Sequence, residues 1–196
     1  MLYRFLQGNG ADIPQTGDCF PWKHQLSPPP DSRTPAGFRA IYLYSDPRNI
    51  VLSVFRRNIQ HCHLERMGQV SRRFGIPVER PARNPDSWKL QDLLNLESDP
   101  FRIQEQFLNW TKAKRDYPIM IVQFDSLWSR LPELFSFTGL PTQKMNSFPE
   151  RRKRHSRWQD LEAEGKKRLN GMYEDIVQQV GEYPDFTIRR TGAASK

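Results

Sequence analysis

A chain of 196 residues suits one domain with a sizeable core, and its 37% hydrophobic and 12% aromatic content fits a folded protein, not a disordered one. No apolar run approaches the roughly 18 residues that a membrane span needs, and the N-terminus has no signal-peptide pattern. Two cysteines, Cys19 and Cys62, exclude a disulfide framework and point to a reducing, cytoplasmic setting, while the net charge of +8 favours an anionic partner.

Leu2, Phe5 and Leu6 stand at helical spacing, so LYRFL reads as a helix that Gly8-Asn9-Gly10 stops. Residues 8 to 37 carry Gly, Pro, Asp and Ser throughout and read as one long loop, a feature often tied to function. FRAIYLY at 38–44 is a strand by its β-branched and aromatic content. Asp46 is a good N-cap and Pro47 suits a first helical position. Ile50, Val51, Val54, Phe55, Ile59 and Cys62 then step at threes and fours, predicting a helix to about Met67. This change of period puts Arg48 where the helix begins. A strand ending in a turn that opens a helix commonly holds an anion, because backbone N–H groups and the positive dipole end face one point.

A polar connection over 75–86 leads to a short helix around SWKLQDLLNL, and Asp99-Pro100 starts another carrying Phe101, Ile103, Phe107 and Trp110. PIMIVQF at 118–124 is a near-continuous apolar strand, the kind buried on both faces of a parallel sheet. DSLWSRLPELFSFTGLP resumes helical spacing, with Asp125 as its N-cap, Pro132 near its front and Gly139-Leu140-Pro141 closing it. The basic RRKRHSRW precedes a final helix with Leu161, Leu169, Met172, Tyr173, Ile176 and Val180, and the tail from Pro184 reads as polar and loose. Strands alternating with helices predict a three-layer α/β fold around a parallel central sheet, with 38–44 and 118–124 as neighbours or near neighbours. Yet the chain opens on a helix, although the first βα turn of a nucleotide-binding sheet usually carries the phosphate loop.

In this order, AIYLYSDPRNIVLSVFRR, DYPIMIVQFDSLWSRLPELFSFTGLP and RRKRHSRW resemble the sulfotransferases that use 3′-phosphoadenosine 5′-phosphosulfate (PAPS), over residues 38 to 160. In that family a strand ends in Arg-Asp-Pro-Arg or a close relative, and that Arg and a Ser eight residues later hold the cofactor's 3′-phosphate. A later strand ends in a Tyr-Glu-Asp-Leu-like turn, its helix closes on Phe-Leu-Gly-Leu-Pro, and a basic loop returns to the 3′-phosphate. The resemblance implies a P-loop NTPase-like fold that is N-terminally incomplete. The family's Pro-Lys-X-Gly-(Ser/Thr)-(Ser/Thr) loop runs into a helix much like MLYRFL and would lie upstream of Met1. The expectation is a truncated sulfotransferase, or a relict that no longer needs the loop.

Carried over by position, Ser53 takes the phosphate-binding Ser place, eight residues after Ser45, which stands where the family has its Arg. Arg48 is retained as a substitute for that Arg, and Arg151 and Arg152 take the phosphate contacts of the basic loop. The plainer alternatives are a hydroxyl bonded back to its own helix for Ser53, a surface arginine for Arg48 and a solvated charge run for Arg151 and Arg152. Sulfuryl transfer is an in-line displacement: an acceptor oxygen attacks sulfur and the adenosine bisphosphate leaves. The protein must place both partners, offset charge on the leaving oxygen and deprotonate the acceptor. His24, in CFPWKHQLSPPP, is similar in location to the base of the family's Lys-Thr-His loop, one residue shorter. An ordinary loop histidine remains the alternative, and Asp18 stays open because other members use a carboxylate.

The implied function is sulfuryl transfer from PAPS to a hydroxyl or amine acceptor (small molecule, carbohydrate or lipid), with no metal and no specific nucleic acid. A non-catalytic domain of the same build is one alternative, favoured by Ser45 and the absent loop. A basic nucleic-acid- or polyanion-binding protein is the other, favoured by the charge. His61-Cys62-His63 invites a metal reading, but adjacent helical residues point about 100° apart and no fourth ligand is near.

Overall fold

The computed structural model describes residues 1–11, 13, 25–60, 63–64, 88–96, 98–153, 155 and 157–190. Its middle layer is a three-stranded sheet of β1 (Ala40–Tyr44), β2 (Ile119–Gln123) and β3 (Phe186–Arg189), in that order. β1 and β2 pair parallel through five positions, from Ala40 opposite Ile119 to Tyr44 opposite Gln123. The two apolar runs are therefore neighbours, as their composition predicts. β3 runs antiparallel along the other side of β2, with Ile119 opposite Arg189 and Val122 opposite Phe186. The sheet is thus mixed and not wholly parallel, and the tail expected to be loose contains a strand. β2 otherwise has a row of unpaired backbone groups on that side, and burial requires that they be met. Pairing starts where the Gln123 N–H donates to the Asp185 carbonyl at 2.7 Å.

Helices cover both faces, and side-chain alternation along the strands sorts the two cores. Ala40, Tyr42, Tyr44, Ile119 and Ile121 join one, with α2 (Pro47–Arg56), α3 (Leu90–Leu94), α4 (Ile103–Lys112) and α6 (Ala163–Glu182). Met120 and Val122 join the other, with Ile41, Leu43, Phe186 and Ile188 packed against it. That side is closed by α1 (Leu2–Gly8), a 3₁₀ helix at Phe124–Arg130 and α5 (Leu131–Thr138). Burial on both faces is why β2 is apolar at successive positions.

Local chemistry sets most helix boundaries. The Asp46 carboxylate accepts the Arg48 N–H at 2.9 Å and caps α2, with Pro47 in the first turn. α2 stops at Arg56 and does not run on to Met67, because Asn58 takes a left-handed φ of 51°. Helical backbone resumes at Gln60, whose amide donates to the Trp88 carbonyl at 3.1 Å. α5 starts at Leu131-Pro132 and closes on Gly139 at φ 73°, as the sequence indicates. Asp125, by contrast, lies inside the first turn of the 3₁₀ helix and is not an N-cap. The Asp99 carboxylate accepts the Phe101 and Ile103 N–H groups at 2.9 and 2.6 Å and the Tyr173 hydroxyl at 2.8 Å, tying the start of α4 to α6.

The described end of the long loop is pinned to α4 and the start of β2. The Gln25 carbonyl accepts Gln106 Nε2 at 2.8 Å and Trp110 Nε1 at 2.9 Å, and the Tyr117 hydroxyl donates to the Pro29 carbonyl at 2.6 Å. Burial lifts the phenols of Tyr44 and Tyr117 to about 12 and raises those of Tyr42, Tyr173 and Tyr183 as well. A folded-state value above the ordinary 10.0 gives support that is complete below that pH and lost as pH climbs through about 12. In an alkaline titration followed by phenolate absorbance and circular dichroism, these tyrosines are expected to ionise late, together with unfolding. Reversible ionisation of all six tyrosines near pH 10, with the fold intact, contradicts this packing.

Candidate anion site at the carboxyl ends of the parallel strands

Tyr44 and Gln123 face each other across the parallel pair, so the turns that follow them leave the sheet side by side. Asp46 and Asp125 each stand two residues beyond those strand ends and occupy matching places. Each carries an arginine. The Arg48 guanidinium is bidentate on Asp46, at 2.6 and 3.0 Å, and Arg151 Nη2 meets Asp125 Oδ1 at 2.7 Å. Each arginine also lies near an indole: Arg48 is 3.7 Å from the Trp158 ring centre and Arg151 is 5.9 Å from that of Trp128. Two Asp–Arg–Trp units thus stand beyond adjacent parallel strands, in the crevice where α/β sheets bind ligands.

The basic segment connects them. The Trp128 indole N–H donates to the Pro149 carbonyl at 2.9 Å, just before Arg151. Further on, the Trp158 backbone N–H donates to Asn49 Oδ1 at 3.2 Å. The segment is therefore held at one end to the turn after β2 and at the other to the first turn of α2. Among the described residues the buried Trp158 indole N–H has no acceptor, and the ring serves through its face, against Arg48.

The residues singled out by sequence fare differently. Arg48 is neither a solvated arginine nor an open phosphate ligand. Its side chain is only 13% exposed, and Nη1 also donates to Asn170 Oδ1 on α6 at 2.7 Å. A cation in the first turn of a helix opposes the dipole, and here the Asp46 carboxylate offsets it. Arg151 is 55% exposed, and Arg152 and Lys153 beside it are exposed too. Ser53 is half-buried and lies one helical turn beyond Asn49 on the same face of α2. Among the described residues its hydroxyl has no hydrogen bond, neither back to its helix nor to Arg151 or Arg152. Ser45 is buried. His24 and Asp18 lie outside the described residues, as do His61 and Cys62, while His63 is buried edge-on to Phe101 at 5.3 Å.

Sequence reasoning missed the pairing roles of Asp46, Asp125, Asn49 and the two tryptophans. It read the two acids as caps, because nothing local marks Arg151 as the partner of Asp125, 26 residues on, or Trp158 as that of Asn49, 109 residues on. A separate open groove of about 570 Å³ lies at the opposite end of the parallel strands, where Glu133 stands among Arg39 and Arg190. The first turn of α5 borders it, but there Glu133 already places a carboxylate, so the carboxyl-end crevice is the better anion candidate. No protein-family model, curated protein or solved structure matches the chain. Among the described residues no helix is long and apolar enough to cross a membrane.

Arg48→Lys keeps the charge but loses the bidentate fork and the planar stack on Trp158. The expected cost is about 1–3 kcal/mol of stability, read by urea denaturation. An unchanged midpoint and slope show that Arg48 does not tie α2 to Trp158 and α6.

Proposed function

We propose that the chain is a PAPS-type sulfotransferase domain that holds the 3′-phosphate end of its nucleotide at the carboxyl ends of β1 and β2. One observation carries this reading: the basic segment meets both βα turns, touching Asp125 beyond β2 and Asn49 beyond β1. Charge and N–H donors converge there, as an anionic cofactor requires. The residues present fit that group in part. Arg151 and Arg152 are open to solvent and the Ser53 hydroxyl has no partner among the described residues, whereas Arg48 is committed to Asp46 and Asn170. On this reading Arg151, Arg152 and Ser53 bind the phosphate, Arg48 supports the turn, and His24 takes the proton of a hydroxyl or amine acceptor. PAPS would supply the sulfuryl group. The commitment of Arg48, with Ser45 in place of an arginine, favours a weak enzyme or a non-catalytic nucleotide-binding domain over a fast one.

Calorimetry with adenosine 3′,5′-bisphosphate tests the site. Two hydrogen bonds to charged groups contribute about 1.5–3 kcal/mol each, so reversing both Arg151 and Arg152 to Glu should weaken binding at least about 100-fold. Unchanged binding rejects the site. His24→Ala should lower sulfuryl transfer from PAPS by about 10²-fold or more, with nucleotide affinity unaltered.

The exposure of Arg151, Arg152, Lys153 and Arg157 favours a second reading, a polyanion-binding surface. A steep salt dependence on heparin and DNA without nucleotide saturation would select it.

A further inference from the structure

The two Asp–Arg pairs beyond the parallel strands match in position and differ in burial, and that difference separates their roles. Asp46 and Arg48 have side chains 28% and 13% exposed and are joined by a bidentate contact. Asn170 and the face of Trp158 complete that enclosure. Asp125 and Arg151 are 43% and 55% exposed and meet through one described contact at 2.7 Å, with the Arg151 guanidinium 5.9 Å from the Trp128 ring centre. An exposed pair of this kind shifts an equilibrium by no more than about fivefold, so it opens readily, while the enclosed pair does not. The Pro149 end of the segment is held, besides this pair, by the exposed bond from Trp128 at 2.9 Å.

We propose that Asp125 is an internal competitor for the anion site. Its carboxylate holds Arg151 in the free chain, and an incoming phosphate takes its place, while Trp158 clasped by Arg48 stays put as the fixed end of the segment. The proposal rests on the phosphate-site reading given above and adds its regulation: the chain carries its own anion at the place its ligand must occupy. It also divides the arginines. Arg151 exchanges partners on binding, and Arg48 keeps Asp46 throughout. Net charge near the site is thereby balanced before binding, which lowers affinity for small anions that cannot displace a tethered carboxylate.

The test is calorimetry on the full chain with adenosine 3′,5′-bisphosphate. Asp125→Asn is expected to bind about two- to fivefold tighter than wild type. Glu150→Gln removes the same charge from an exposed neighbour with no described contact to Arg151, and is expected to change little. In an Arg151→Ala background the Asp125→Asn gain should vanish. Asp46→Asn keeps a side chain that can cap α2, and is expected to lower the melting temperature, in contrast to Asp125→Asn. All the exposed-site variants should melt like wild type, which separates ligand effects from folding.

An equal gain from Glu150→Gln reduces the effect to net charge and overturns the proposal. If Arg151→Ala weakens binding but Asp125→Asn has no effect, the competitor is overturned while the site reading stands. If no variant binds, or if Arg151→Ala changes nothing, the site reading fails and the competitor fails with it.

Discussion

The five-position parallel pairing of β1 with β2 is the constraint on which the rest depends. Met120, Ile121 and Val122 are fully buried, so their backbone groups have no access to water and must be met by neighbouring strands. A parallel pair cannot be closed by a hairpin. The chain must cross from Tyr44 back to Ile119, and the helices of that crossover close one face of the sheet. α1, the 3₁₀ helix and α5 close the other, and β3 completes the free side of β2. The same pairing aligns Tyr44 with Gln123, and this alone brings the following turns to the same edge of the molecule.

Charge at that edge follows from a local conflict. Arg48 sits where the α2 dipole is positive, a poor place for a cation. The chain offsets the conflict from within, through the Asp46 carboxylate that also caps the helix. Once paired, the guanidinium plane becomes a flat surface for Trp158, and the remaining N–H reaches Asn170. A residue that resembles an anion ligand by sequence thereby joins α2, α6 and the basic segment. Arg151, with the same partner types but far more solvent, keeps the freedom that Arg48 has given up.

Three departures from the sequence reading share one cause. The apolar stripe from Ile50 continues past Asn58, yet α2 breaks there because the left-handed turn at Asn58 redirects the chain and brings Gln60 to the Trp88 carbonyl. Phe186 to Arg189 contain only two apolar residues and give no strand signal on their own, but β2 offers a buried edge and an apolar face for them. Asp125 has the residue type and position of a cap and is turned to Arg151 instead. In each case a distant group outcompetes the local preference.

The sequence by itself determined the α/β class, the two apolar strands, the Asp46-Pro47 start of α2 and the Gly139 end of α5. These depend on periodicity and on turn and cap chemistry, all written within a few residues of one another. Only the tertiary structure decided the mixed sheet, the commitment of Arg48, and the matching of Asp46 with Asp125 beyond the strand ends. Those features depend on register and on which side chain arrives from about a hundred residues away. Burial fixes such pairings through the packing of whole helices and strands, and no local pattern records them.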